Sequence, residues 1–133
     1  MSYYIETLLR DITIDKAVEL VTEELKKEGF GIITEIDMKA TFKNKLDVDF
    51  QPYKILGACN PQFAHEALNH NAYVGVFLPC NVIVRQKDNN SVEVFAVDPV
   101  TTMTVVDDTE LSKMADTIRV KLIKVIDGLF HLT

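Results

Sequence analysis

The chain has 133 residues, of which 47% are hydrophobic, and it carries a formal net charge of −6. This length and apolar content predict one folded domain over residues 1–133, because a disordered chain could not supply such a core. No basic cluster stands free of neighbouring acids, which excludes the usual nucleic-acid binder and disfavours an acidic membrane surface.

The first half of the chain predicts alternating strands and helices. Ile14, Ala17, Val18, Val21 and Leu25 recur at helical spacing, so one stripe of that helix faces a core. The predicted elements are a strand at Tyr3–Leu9, a helix that Thr13 or Asp15 caps and Gly29 ends, a strand at Phe30–Ile36, and a helix that Asp37 caps and that runs to about Leu46.

The second half begins with a strand at Tyr53–Cys59 whose two faces are both apolar, which places it in the interior of a sheet. Pro79 cannot donate a ladder hydrogen bond and therefore marks an edge or a bulge. The remaining elements are a helix that Asn60 caps with Pro61 in first position, a hairpin of Val76–Arg85 with Val92–Val97, a short piece after Asp98-Pro99, and a helix that Thr109 caps and that runs to about Phe130.

This order, β-α-β-α-β-α-β-β-α, predicts the α+β class. We expect a single two-layer domain in which helices pack on a mixed sheet of about five strands. The strand–helix units alone would also suit a small doubly wound fold, but the closing hairpin favours α+β.

The two cysteines occupy similar settings, since each follows an apolar run and precedes an asparagine. Cys59 and Cys80 are therefore predicted at the ends of strands, where sites are commonly built. Cys59 also directly precedes a predicted helix N-terminus, whose positive end favours a thiolate. The alternative is that both are small hydrophobic side chains buried in the core, the commoner fate of a free cysteine. Asn60 and Asn81 are either caps and turn formers or hydrogen-bonding groups for a ligand.

Asp37 and Lys39 complete the set of candidate ligand-binding residues. A carboxylate–lysine pair can transfer a proton, although Asp37 is more simply a helix cap and surface ion pairs are far commoner. The chain has no glycine-rich phosphate loop, no nucleophile elbow and no zinc-binding helix motif, so no cofactor and no catalytic residue is predicted. Metal binding is a weaker alternative, because the cysteines are not in close pairs and His65 is expected to face solvent.

No apolar run reaches the roughly 18–20 residues that a membrane span needs. The N-terminal segment also lacks a basic start followed by an apolar block, so no secretory signal is expected. A cytoplasmic location and free thiols are therefore predicted.

Four segments resemble those of the bacterial and archaeal family called domain of unknown function 302. Residues 29–41 resemble its GFGVLTEIDVKAT segment, residues 53–61 its YRILGACNP, residues 78–84 its LPCNVVV, and residues 96–99 its AIDP. The resemblance implies a small α+β domain that forms a homodimer. It implies no reaction, but it favours a shared site because the family's segments centre on Cys59 and Cys80.

The leading hypothesis is a small-molecule or thiol-chemistry site at Cys59 and Cys80. The alternative is a non-catalytic homodimeric module that uses its last helix, where Val120 and Ile123 add apolar area off the main stripe.

Overall fold

The computed structural model describes residues 2–132 and contains five strands, five α-helices and one short 3-10 helix in that range. The strands are β1 (Tyr4–Arg10), β2 (Gly31–Asp37), β3 (Tyr53–Cys59), β4 (Cys80–Asp88) and β5 (Ser91–Val97). The helices are α1 (Ile14–Lys27), α2 (Met38–Leu46), α3 (Pro61–His70), α4 (Pro99–Met103) and α5 (Thr109–Phe130), with the 3-10 helix at Ala72–Phe77.

The strands form one sheet in the order β1-β5-β4-β3-β2. All four pairings are antiparallel, so the expected mixed sheet is wrong in this respect. The physical reason is that β1 and β2, which run in the same direction, lie at opposite edges of the sheet, whereas the connections from β2 to β3 and from β3 to β4 reverse the chain, and a periodicity argument cannot reveal which strands become neighbours. The α+β class and the interior position of β3 are confirmed.

One face of the sheet is covered by α1 and α5, and the core lies between them. Leu56, Val82 and Val94 from the sheet pack there against Val21 of α1 and Leu122 of α5, and all five are fully buried. The stripe predicted for α1 faces the core, and the buried residues of α5 recur at the same helical spacing, because helical periodicity places such residues on one face.

The first three helices begin at the capping residues that the sequence predicted. Thr13, Asp37 and Asn60 each accept a hydrogen bond from a backbone N–H in the first turn of α1, α2 and α3. Gly29 follows α1 with a φ of 85°, a left-handed conformation that favours glycine. The cap of α5 is Asp108 rather than the predicted Thr109, because the Asp108 carboxylate reaches the backbone N–H of Leu111 at 3.0 Å.

The predicted strand from Val76 is also wrong at its start. Residues 76–77 belong to the 3-10 helix, and β4 begins at Cys80, directly after a cis Leu78–Pro79 bond. Pro79 therefore lies before a central strand, where its missing N–H removes no ladder hydrogen bond, rather than at an edge or within the strand.

Asp98 connects the short helix to the long one. Its carboxylate accepts a hydrogen bond from the Val100 backbone N–H at 3.0 Å and another from Arg119 Nε of α5 at 3.0 Å. Because Asp98 is buried, this pair holds α4 against α5. Within residues 2–132, no helix combines the length and apolarity needed to cross a membrane.

Candidate functional site

The end of β3 meets the beginning of β4 beside the N-terminus of α3. In the register of these strands Ala58 pairs with Cys80, and Cys59 is the next residue along β3. The chain leaves β3 at Cys59 because Asn60 takes the extended conformation of a helix cap and Pro61 starts α3. The register therefore brings the two cysteines to the same corner of the domain.

Both cysteines line one cavity of about 250 Å³ at this corner. Apart from Cys59, Cys80 and Asn60, the residues that line it are apolar. They come from β2 and the residue before it, from the end of β3, from α3 and from the segment before β4: Phe30, Ile33, Ala58, Phe63, Ala64, Leu68, Leu78 and Pro79. Such a cavity favours a small apolar group with one polar contact.

Burial controls the chemistry of Cys80. Only 6% of this residue is exposed, and its low-polarity surroundings, together with the nearby Cys59, raise the pKa of the Cys80 thiol to about 11. Cys80 therefore keeps its proton at neutral pH, where it is a poor nucleophile and a weak hydrogen-bond donor.

Cys59 is the more accessible of the two thiols. It is half-buried, whereas Cys80 is buried, and both are free. Asn60, the next residue, accepts a hydrogen bond from the Phe63 backbone N–H at 3.2 Å through its side-chain oxygen. Cys59 thus lies directly before the positively polarised end of α3.

Gly57 has no side chain, which allows Pro79, a residue of the cavity lining, to pack directly against it. A Cβ atom at Gly57 would lie 2.7 Å from Pro79 Cγ and would also overlap the Thr34 hydroxyl. Any larger residue at position 57 would therefore displace Thr34, Pro79 or both, and Pro79 directly precedes Cys80 in the chain. The glycine is consequently part of what shapes the cavity.

The other predicted site residues do not all lie at this corner. Asn60 lines the cavity, but Asn81 is exposed and points to the opposite face of the sheet from Cys80, because strand neighbours alternate. Asp37 ends β2 opposite Lys54, whereas Gly31 starts β2 opposite Cys59, so Asp37 lies roughly 20 Å from the cysteine corner.

Lys39 belongs with Asp37 at the far end of β2. Its ammonium group donates to the Phe50 carbonyl at 3.0 Å, while Asp37 caps α2 through the Ala40 backbone N–H at 2.9 Å. The expected carboxylate–lysine pair is absent among the ion pairs of the described residues. Both residues serve local structure at the beginning of α2.

Residues 2–132 contain no cluster of three or more His, Cys, Asp or Glu side chains arranged to hold a metal ion. His65 is exposed, as the sequence predicted, and its ring lies 3.2 Å from the Asn69 side-chain nitrogen. The two cysteines therefore lack a third ligand of these types.

The sequence did not identify the walls of the site. Phe63, Ala64 and Leu68 are the side chains through which α3 lines the cavity, and none of them was assigned to a site from the sequence. A larger cleft of about 700 Å³ lies on the other side of Asn60 and Phe63, between the end of α1, the start of α3 and α5. The two spaces share these two residues, so Asn60 borders both.

The chain is similar to known proteins over nearly its whole length. Residues 5–129 match the family model described as "Domain of unknown function DUF302". A crystal structure of an uncharacterized conserved DUF302 protein from Bacillus stearothermophilus superposes with a TM-score of 0.86 at 30% sequence identity. The match covers 96% of this chain and 98% of that one. No curated protein matches the chain.

Proposed function

The chain belongs to the DUF302 family, and for this member we propose that the corner formed by Cys59 and Cys80 binds a small molecule or carries out thiol chemistry on one. The observation that supports the proposal is that both cysteines line the same cavity of about 250 Å³. Two thiols and an amide among apolar walls are the few convergent polar groups that a binding site uses.

The size of the cavity limits the ligand. Engineered apolar cavities of ~150 Å³ bind benzene, so this space suits a molecule only moderately larger. The walls offer Phe30, Phe63 and Leu68 for an apolar body, and the Asn60 side chain for one polar group. We expect a compact ligand rather than a nucleotide or a drug-sized compound.

The two cysteines have different roles in the proposed chemistry. Cys59 is the nucleophile: its thiol proton leaves to water, its thiolate adds to the electron-poor carbon of an activated carbon–carbon double bond in the ligand, and the displaced π electron pair takes up a proton from water. Cys80 stays protonated, because burial raises its pKa, and it contributes a weak S–H donor and apolar surface.

Thiol labelling with native mass spectrometry tests this proposal. At pH 7 we expect the wild-type protein and Cys80→Ala to react with iodoacetamide at Cys59 faster than free cysteine does. A small ligand that co-purifies should be lost from Cys59→Ala. His65→Ala is the matched control, because His65 is exposed on α3 and should change neither result.

Two results together would contradict the proposal: Cys59 reacting no faster than a free thiol, and no bound mass in the native spectrum. Elemental analysis of protein purified without a chelator examines the soft-metal alternative, for which the two sulfurs would be ligands. Free thiols also fit a reducing compartment, so the proposal places the protein in the cytoplasm.

A second candidate function is a homodimeric interaction module. The accessible surface of the chain is 7937 Å². A monomer of 15.0 kDa typically exposes about 7,000 Å², so roughly 900 Å² is in excess. A standard interface buries about 800 Å² on each partner. A single dimer contact would therefore cover most of the excess surface. Light scattering should accordingly give a mass of two chains at micromolar concentration.

A further inference from the structure

Phe63 borders two spaces of different character. It lines the cavity of about 250 Å³ that contains both cysteines, and it also lines the cleft of about 700 Å³ between α1, α3 and α5. The cavity is apolar apart from the cysteines and Asn60, whereas four charged residues line the cleft: Lys27, Glu28, Glu66 and Lys121. Phe63 therefore lies at the boundary between an apolar space and a charged one.

Two residues line both spaces, Asn60 and Phe63, and the position of Asn60 is fixed. Its side-chain oxygen accepts a hydrogen bond from the Phe63 backbone N–H at 3.2 Å, as the cap of α3. Its side-chain nitrogen lies against Gly29, where an added Cβ atom would be only 3.3 Å away. Because the short Asn60 side chain is held at the cap, the bulk of the boundary comes from the Phe63 ring.

The Phe63 ring is itself held from two sides. This half-buried side chain packs against the main core and also against a smaller apolar cluster that joins α3 to α5: Ala67, Val74, Met103, Leu111 and Ala115. A close-packed side chain resists displacement, because its neighbours leave no free volume for it to enter. A ligand in the cavity therefore meets the ring as a fixed boundary.

We infer that Phe63 sets the size limit of the cysteine site by separating it from the charged cleft. This inference rests on the proposed function and narrows its substrate class to compact, uncharged molecules with an activated double bond. A substituent that extends past the cavity would have to overlap the Phe63 ring, and overpacking a filled space is unfavourable. Without the ring, the same substituent could lie in the cleft while the double bond reaches Cys59.

Two maleimides that differ only in their nitrogen substituent test the size limit. With either reagent the Cys59 thiolate adds to the same double bond, and the displaced electron pair takes up a proton from water. Each rate is measured at pH 7 from the mass of the Cys59 peptide and divided by the rate of free cysteine with that reagent. We expect wild-type protein to react with N-pyrenylmaleimide about tenfold or more slowly than with N-methylmaleimide on this normalised scale.

Phe63→Ala should remove most of this discrimination, and Phe63→Leu, which keeps part of the apolar bulk, should give an intermediate ratio. The leucine variant also preserves the test if the alanine variant does not fold, which circular dichroism reports. Gln62→Ala is the matched control, because Gln62 is the exposed neighbour of Phe63 and lines the cleft but not the cavity. It should keep the wild-type ratio.

The outcomes separate the size limit from the thiol chemistry. Equal normalised rates for the two reagents in wild-type protein overturn the size limit alone, and so does a ratio that neither Phe63 variant changes. A ratio that Gln62→Ala changes as much as Phe63→Ala also overturns it, because the effect would then not belong to the ring. A Cys59 that reacts with neither reagent overturns the thiol chemistry and the size limit together. Discrimination that only the Phe63 variants reduce supports the inference.

Discussion

Cys80 should react with a neutral alkylating reagent about a hundred times more slowly at pH 7 than a free cysteine does. Burial, and secondarily the nearby Cys59, raise its pKa from 9.0 to about 11, so its thiolate fraction is about a hundredfold smaller. Restricted access to a residue that is only 6% exposed slows the reaction further. The measurement is the alkylation rate of Cys59→Ala, in which Cys80 is the remaining thiol, between pH 7 and 11.

The same pKa change predicts a dependence of stability on pH. The folded-state pKa is higher than the unfolded one, so the unfolded state loses the Cys80 proton first as the pH rises. The stabilisation from burying the neutral thiol is complete below pH 9 and is lost as the pH rises to about 11. Other groups titrate in this range, so the test is the difference between wild type and Cys80→Ala in the free energy of unfolding.

The difference in the free energy of unfolding between wild type and Cys80→Ala should decrease by roughly 2 kcal/mol between pH 8 and pH 11. A difference that stays constant across this range would contradict the burial of Cys80. A rate for Cys59→Ala equal to that of free cysteine at pH 7 would contradict it independently.

Gly57→Ala should destabilise the protein by about 1–3 kcal/mol, the usual cost of adding a methyl group to a filled space. Its Cβ would lie 2.7 Å from Pro79 Cγ and would overlap the Thr34 hydroxyl, so at least one of these residues must move. Because Pro79 lines the cavity and precedes Cys80, we also expect Cys80 to become more reactive. Chemical denaturation measures the first effect and alkylation of the Cys59→Ala background measures the second.

Gly31→Ala is the matched control for this substitution. Gly31 also lies in a strand, opposite Cys59, but a Cβ there would meet nothing within 4 Å. We expect a change between zero and a gain of about 0.5 kcal/mol, because alanine restricts the unfolded chain more than glycine does. Equal losses for the two variants would mean that the space around Gly57 is not filled as described.

Local structure could be predicted from the sequence because its causes are local. Asn60 caps α3 and Pro61 fits its first position, and both preferences depend only on neighbouring residues. Gly29 follows α1 because its φ of 85° suits glycine. Pro79 was predicted to mark an edge or a bulge of the strand. The sequence could not show that the strand begins after Pro79 rather than before this residue. The start of the strand depends on the 3-10 helix at Ala72–Phe77, which contains the residues predicted to begin the strand.

The composition of the site could be predicted only in part, because strand register is a long-range property. Cys59, Asn60 and Cys80 come together because Ala58 pairs with Cys80 across β3 and β4. Asn81 is adjacent to Cys80 in the chain, yet alternation sends it to the other face. Asp37 lies far away because β2 runs antiparallel to β3, so the end of β2 is opposite Lys54 and not Cys59.

The most direct test of the shared cavity blocks one cysteine and measures the other. Wild-type protein is first alkylated at Cys59 with iodoacetamide at pH 7, and the modification rate of Cys80 is then followed at pH 10 by mass spectrometry. If both thiols open into the same space, the Cys59 adduct obstructs access to Cys80, which should then react at least tenfold more slowly than in Cys59→Ala. An unchanged Cys80 rate would mean that the two cysteines do not share a cavity, and would contradict the proposed site.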